Sequence, residues 1–413
     1  MTSIARLLLA AGLPAALAAQ HDMHAAGSAP ADTGIALFTN LGPHSRVITT
    51  RVPAAQAYFN QGMRLAYGFG MPEARRSFER AIAIDSTCAM CQWGLAWSLG
   101  PYVNGGMDST RGVRAYRAIQ RAKALSANAA EPERALIDAM LQRYVENPRR
   151  GTRAPADTLY MKAMREVARR YPRDLDVLAL FGESMMVLRP WNYWTRAGAP
   201  QPGIDELITT LETALARDPR HPGACHLYIH AVEASMNPAR AESCADLLID
   251  GMPGASHMRH MPSHIYMRIG RYGDGVRSNQ LAWIADQQAR HGGATAIYPE
   301  HNLHMLLFAA SYGGQSAVAL QAARDLARQS ANASHHQILT LARFGRWDEI
   351  LATPAPDRPF RLAMWHYARG LAELRTGQAG NARIALRARR RSGGQRRSLP
   401  TDAVAAGARH SLR

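Results

Sequence analysis

Between Tyr58 and Asp85 the chain reads YFNQGMRLAYGFGMPEARRSFERAIAID, two amphipathic segments joined by Gly and Pro punctuation. Apolar residues recur every three or four positions and never alternate strictly, so the stretch is predicted to be helix, tight turn, helix. Working outward, the same texture runs from Ala54 to Leu386, each segment about a dozen residues long and bounded by Gly, Pro, Asp or Asn. The best segments pair at a spacing of about 34 residues, the period of a stack of helical hairpins. The expected fold is therefore all-α.

Tyr58, Gly62, Ala74, Phe78 and Ala81 follow the small and aromatic positions of one repeat unit, and turn glycines recur in IGRYGD (269–274), FGRWDE (344–349) and RTGQAG (375–380). Further units read HLYIHAVEASMNPARAESCADLLIDGMPG (226–254) and HNLHMLLFAASYGGQSAVALQAARDLA (301–327). On these residues the chain resembles the tetratricopeptide repeat family, strongly in the quoted units and loosely between Pro101 and Pro202. The resemblance implies an α-α superhelix whose first helices line a concave groove, and a role in holding protein or peptide partners. Physically, a small residue lets neighbouring helices approach while an aromatic fills the gap between hairpins. Two stretches break the period: Gly100–Met107, and Arg189–Pro202 with Trp191, Tyr193, Trp194 and Arg196. The second is either a loop folded over the groove or an aromatic plug at its side.

The chain has 413 residues, 16 histidines, four cysteines and a formal net charge of +17. Nine arginines against one aspartate fall between Arg383 and Arg413, so about half of the charge excess is a tail. That tail, residues 387–413, has lost helical periodicity and carries no aromatics for base stacking, which argues against nucleic acid as the partner. Residues 1–18 place Arg6, a short apolar run and Ala16-Leu17-Ala18 in the order of an export signal, which predicts a periplasmic or extracellular protein. Residues 19–53 then form an N-terminal linker or extended segment, and residues 54–386 the solenoid. No later apolar run is long enough for a transmembrane segment.

His226 and His230 lie four apart and share one helix face, which Glu233 continues. Adding 34 residues lands on His260 and His264, with His257 on the same stripe; moving His257 and His260 on by 44 lands on His301 and His304. His335 stands before Gly345 as His260 stands before Gly270. Neutral imidazoles clustered without a partner lose solvation and repel when protonated, and a metal ion removes both problems. The seven histidines 226, 230, 257, 260, 264, 301 and 304 are thus candidate ligands for copper or zinc, with Glu233 and Glu300 as the nearest carboxylates. Met258, Met261 and Met267 would favour reduced copper if they face the site, and otherwise serve packing. The competing reading is a metal-free scaffold that holds an extended peptide or acidic segment.

Two smaller features are metal-compatible. A cut after Ala18 would leave Ala19-Gln20-His21, whose amine, backbone nitrogens and imidazole can chelate Cu(II) or Ni(II). Cys88 and Cys91 follow the cap sequence Asp85-Ser86-Thr87 and read as a local disulfide, a soft-metal or redox pair, or two buried thiols. Cys225 and Cys244 lie on the two helices of one hairpin, paired or simply buried. No Gly-rich phosphate loop, GxSxG or HExxH is present, so a nucleotide cofactor is not expected and no reaction is named.

Overall fold

The computed structural model describes residues 34–148, 151, 153–292 and 296–381. The expected export signal, the expected Ala19-Gln20-His21 terminus and the Arg-rich tail lie outside the described residues. Among the described residues there is no strand, only two isolated bridges, Tyr102 with Gly105 and Trp194 with Pro200. The described residues are all-α, built of helices packed on their chain neighbours. No helix of the described residues is long and apolar enough to cross a membrane.

The chain divides into two compact units. In the first, the main helices are α1 (Pro53–Tyr67), α2 (Met71–Ile84), α3 (Ala89–Leu99), α4 (Ser109–Leu125), α5 (Glu131–Leu141), α6 (Arg153–Arg170), α7 (Leu175–Val187), α8 (Ile204–Leu215), α9 (Pro222–Val232), α10 (Glu242–Gly251), α11 (Ser256–His260) and α12 (Pro262–Tyr266). Pro53 and Pro72 sit in the first turns of α1 and α2, where a missing N–H costs nothing. Asp108 and Asp174 cap α4 and α7 by accepting the Arg111 and Val177 amides at 2.8 and 3.1 Å. The small-and-aromatic pattern works as the sequence suggests. The Phe78 ring is wedged between Gly62 and Gly94, where a Cβ would meet it at 2.5 and 2.4 Å.

Beyond neighbour stacking, α1 also packs on α9, far from it in sequence. The Tyr67 ring covers Gly223, whose added Cβ would lie 2.4 Å from it. Ahead of α1, residues 34–52 form no helix or strand and are tied to it by side chains. Gln61 accepts the Phe38 amide at 2.7 Å and donates to the Ala36 carbonyl at 2.9 Å. Gln56 likewise accepts from Ile48 at 3.0 Å and donates to the Arg46 carbonyl at 2.8 Å. Arg46 closes the strap with a bidentate pair to Asp174, both bonds 2.8 Å. Two disulfides are present, Cys88–Cys91 and Cys225–Cys244, so both cysteine pairs are bonded.

Helix α13 (Tyr272–Gly292) contributes residues 272–279 to the second unit and the remainder to the first. The second unit continues with α14 (Pro299–Tyr312), α15 (Ser316–Gln329), α16 (His335–Arg343), α17 (Trp347–Ala352) and α18 (Pro359–Arg375). Its small core gathers Leu320, Ile338, Leu341, Ile350, Ala368 and Ala372.

Candidate metal centre

Helix α9 is buried along its whole length, so His226 and His230 project into a solvent-free interior, 0 % and 2 % exposed. Burial makes each ring nitrogen's partner a question with an energetic answer. His226 donates its Nδ1 proton to the main-chain carbonyl of Tyr67 at 2.5 Å. His230 donates its own to Glu233 Oε1 at 3.0 Å. A carbonyl and a carboxylate only accept, so in both rings Nδ1 carries the proton and Nε2 carries a bare lone pair. Both Nε2 atoms are buried and hydrogen-bonded to nothing.

His257, on α11, completes a group with them: the three histidines offer ligand atoms that all lie within 4.8 Å of one another. Helix α11 ends at His260, and Pro262 starts α12 two residues on, carrying His264 back toward Glu233 at the end of α9. His264 donates Nδ1–H to the other oxygen of Glu233 at 2.6 Å, and its Nε2 lies 2.9 Å from Nε2 of His260. The five rings form a continuous cluster, with centroids 4.9 Å apart for His226 and His230, 5.0 Å for His226 and His257, 5.4 Å for His257 and His260, and 4.8 Å for His260 and His264.

Burial, then repulsion from His230, holds the His226 pKa well below its usual value. His230 is lowered mainly by burial, with Glu233 opposing. Both imidazoles are therefore neutral near pH 7 and keep their lone pairs. Burial would raise Glu233, but attraction to His264 and the hydrogen bonds from His230 and His264 outweigh it and hold the carboxyl well below the usual range.

Three aromatic rings close the cluster. Phe69 lies 4.2 Å from His226 and stacks on His230 and His257 at 5.8 and 5.7 Å. Trp191 meets His230 edge-on at 4.8 Å, and Tyr298 meets His257 edge-on at 5.0 Å. These three are the non-glycine residues with positive φ among the described residues, at 60°, 62° and 57°. A bulky side chain in the left-handed region costs on the order of 1–2 kcal/mol, and such strain concentrates at functional sites. Phe69 takes that conformation between Gly68 and Gly70, either of which would adopt it at no steric cost. Trp194 pins the Trp191 loop by donating to the Ala231 carbonyl at 2.7 Å, and the Tyr298 and Tyr102 hydroxyls share a hydrogen bond at 2.8 Å. Both period-breaking stretches thus reach the cluster.

The seven histidines of the sequence pattern divide between the units. Five form the cluster above, buried rather than lining an open groove. His301 and His304 lie on α14 in the second unit, where the His304 ring packs on His336 at 4.4 Å. His335 and His336 are in turn 4.1 Å apart. Met258 and Met261 are fully buried.

A further group went unseen in the sequence. Asp176 accepts from Tyr67 Oη at 2.7 Å, His44 Nε2 at 3.0 Å, His221 Nε2 at 3.2 Å and Arg46 at 3.2 Å. His44, Asp176 and His221 have metal-like proximity. However, His221 Nδ1 accepts the Ala224 amide at 3.1 Å as the cap of α9, so its Nε2 is the proton donor. With the Arg46 cation already on the carboxylate, this group is a satisfied hydrogen-bond network that seats the N-terminal strap.

No family model matches the chain, and no curated protein matches it. Among solved structures it is similar to the yeast protein of "Crystal Structure of the Yeast Tom70", at 13% identity and a TM-score of 0.34, over 90% of this chain and 70% of that one.

Proposed function

We propose that this protein binds a transition-metal ion, copper or zinc, through His226, His230 and His257 in the first unit. The observation that carries the reading is the pair of buried Nε2 lone pairs on His226 and His230, each left bare because Nδ1 is committed to a fixed acceptor. Metal-ligating histidines are oriented in this way, by a carbonyl or carboxylate on the far nitrogen. An ion with bonds of about 2.0–2.1 Å would draw the three rings together and remove the desolvation penalty of the lone pairs. The site is closed by Phe69, Trp191 and Tyr298, so a catalytic role would require the Trp191 or Tyr298 segment to open, and no reaction is assigned. The two disulfides and the N-terminal signal pattern support a setting outside the cytoplasm.

Elemental analysis of the full chain, purified without a histidine tag, tests this beside His226→Phe/His230→Phe. Stoichiometric copper or zinc in the first and its loss from a still-helical second is expected. Metal-free protein that takes up neither added ion would end the reading.

A second reading has its own observation. The Gln56, Asn60 and Gln61 side chains of α1 hold residues 36–48 by main-chain hydrogen bonds, as a repeat surface would grip a peptide. A protein-binding role for the scaffold would then involve displacing this strap. Crosslinking of a peptide spanning residues 34–50 to a chain lacking that segment tests it; no capture would count against it.

A further inference from the structure

Glu233 is hydrogen-bonded to two rings of the cluster, with Oε1 on His230 and Oε2 on His264. Each bond fixes the Nδ1–H tautomer of its ring and turns Nε2 to the opposite side. His230 Nε2 then belongs with His226 and His257, whereas His264 Nε2 faces His260 Nε2 at 2.9 Å. Resting on the metal reading above, we infer that the first unit holds a second metal position at His260 and His264, with Glu233 orienting one ligand of each position.

The 2.9 Å separation carries chemical information. Without an ion, one proton must lie between the two nitrogens; with both rings neutral and the His264 Nδ1–H on Glu233, it belongs to His260. His260 therefore donates. An ion entering here takes both Nε2 lone pairs once that proton has moved to His260 Nδ1, so both ligands are neutral imidazoles and no proton is lost. With metal–nitrogen bonds of about 2.0–2.1 Å, nitrogens 2.9 Å apart subtend about 90° at the ion, whereas a tetrahedral site would hold them about 3.4 Å apart. A right-angled pair is the cis arrangement of tetragonal Cu(II) or Ni(II), so this position should prefer Cu(II) over zinc. His260 stacks on His257 at 5.4 Å with planes 19° apart, which places the two positions side by side.

The test is to strip the full chain with a chelator and titrate it with Cu(II) and, separately, with Zn(II), counting bound ions. Wild type should bind two Cu(II). His226→Phe/His257→Phe and His260→Phe/His264→Phe should each retain one, and the first should keep its preference for Cu(II). Glu233→Gln has one acceptor oxygen where two are needed, so it should fold normally and weaken at least one position by about tenfold or more. A wild type that binds a single ion, lost from either double variant, would overturn the second position while leaving the metal reading intact. A wild type that binds none would overturn both. Equal affinity of the second position for both ions, or two ions retained by His260→Phe/His264→Phe, would also refute the assignment.

Discussion

The carbonyl of Tyr67 accepts the Nδ1 proton of His226 across 159 residues of sequence, and the same residue's phenol donates to Asp176. One side chain and its own backbone therefore join the histidine cluster to the network that seats the N-terminal strap. The Tyr67 ring is held by those two bonds and by its contact with Gly223, so it has no room to retreat. Gly223→Ala is expected to destabilise the first unit by about 1–3 kcal/mol, as overpacking in a filled core does. It should also loosen the His226 tautomer lock. Denaturant unfolding and metal affinity measured on the same variant check this; unchanged affinity would show that His226 does not depend on the Tyr67 carbonyl.

Phe69 gives a prediction with an inverted sign. At ordinary helix or loop positions, glycine is less stable than alanine by about 0.5–1 kcal/mol. At φ 60° alanine retains the left-handed strain and glycine does not. Both substitutions lose the ring, but Phe69→Gly should be more stable than Phe69→Ala by roughly 1 kcal/mol. The ordinary order in paired thermal or urea unfolding would show that the strain is absent.

The helices and their pairing were legible because each segment carries its own periodicity and punctuation, and Gly62 with Phe78 foretold how hairpins meet. His226, His230, His260 and His264 were legible through repeat spacing, and Glu233 through its helix face. Repeat register was less informative in the second unit, where His304 packs with His336. The Arg189–Pro202 loop serves both alternatives offered for it: Trp191 covers His230, while Tyr193 is buried in the core. What the sequence concealed is what the end of α1 brings to α9, since Tyr67 and Phe69 meet the cluster by tertiary packing and have no common period with it, as His44 and Asp176 meet Tyr67. The one local trace was Phe69 standing between two glycines.

The two disulfides should differ in weight. Cys225–Cys244 closes a loop with a separation of 19 residues and Cys88–Cys91 one of three. By loop-closure entropy the first contributes about 3 kcal/mol and the second about 2. Cys225 also adjoins His226, so Cys225→Ser/Cys244→Ser should reduce both stability and metal uptake, whereas Cys88→Ser/Cys91→Ser should reduce stability alone. Equal metal uptake in the two double variants would detach the longer disulfide from the site.

The second unit makes its own prediction about acid. Burial, then repulsion from His335, lowers the His304 pKa to about 4, and burial with repulsion from His304 and His335 lowers His336 to about 3. An unfolded histidine titrates near 6.5, so between these values the unfolded chain binds protons that the folded chain refuses. Stability is then fully present above about pH 6.5 and falls as pH drops toward 4. For His304 the loss has an upper bound of about 3 kcal/mol, reduced by its partial exposure and its coupling to His336. Hydrogen exchange of the α16 amides between pH 7 and pH 4 should show the opening free energy falling over that window, and His304→Leu should flatten the fall. A flat profile in the unsubstituted protein would mean that these rings accept protons without cost.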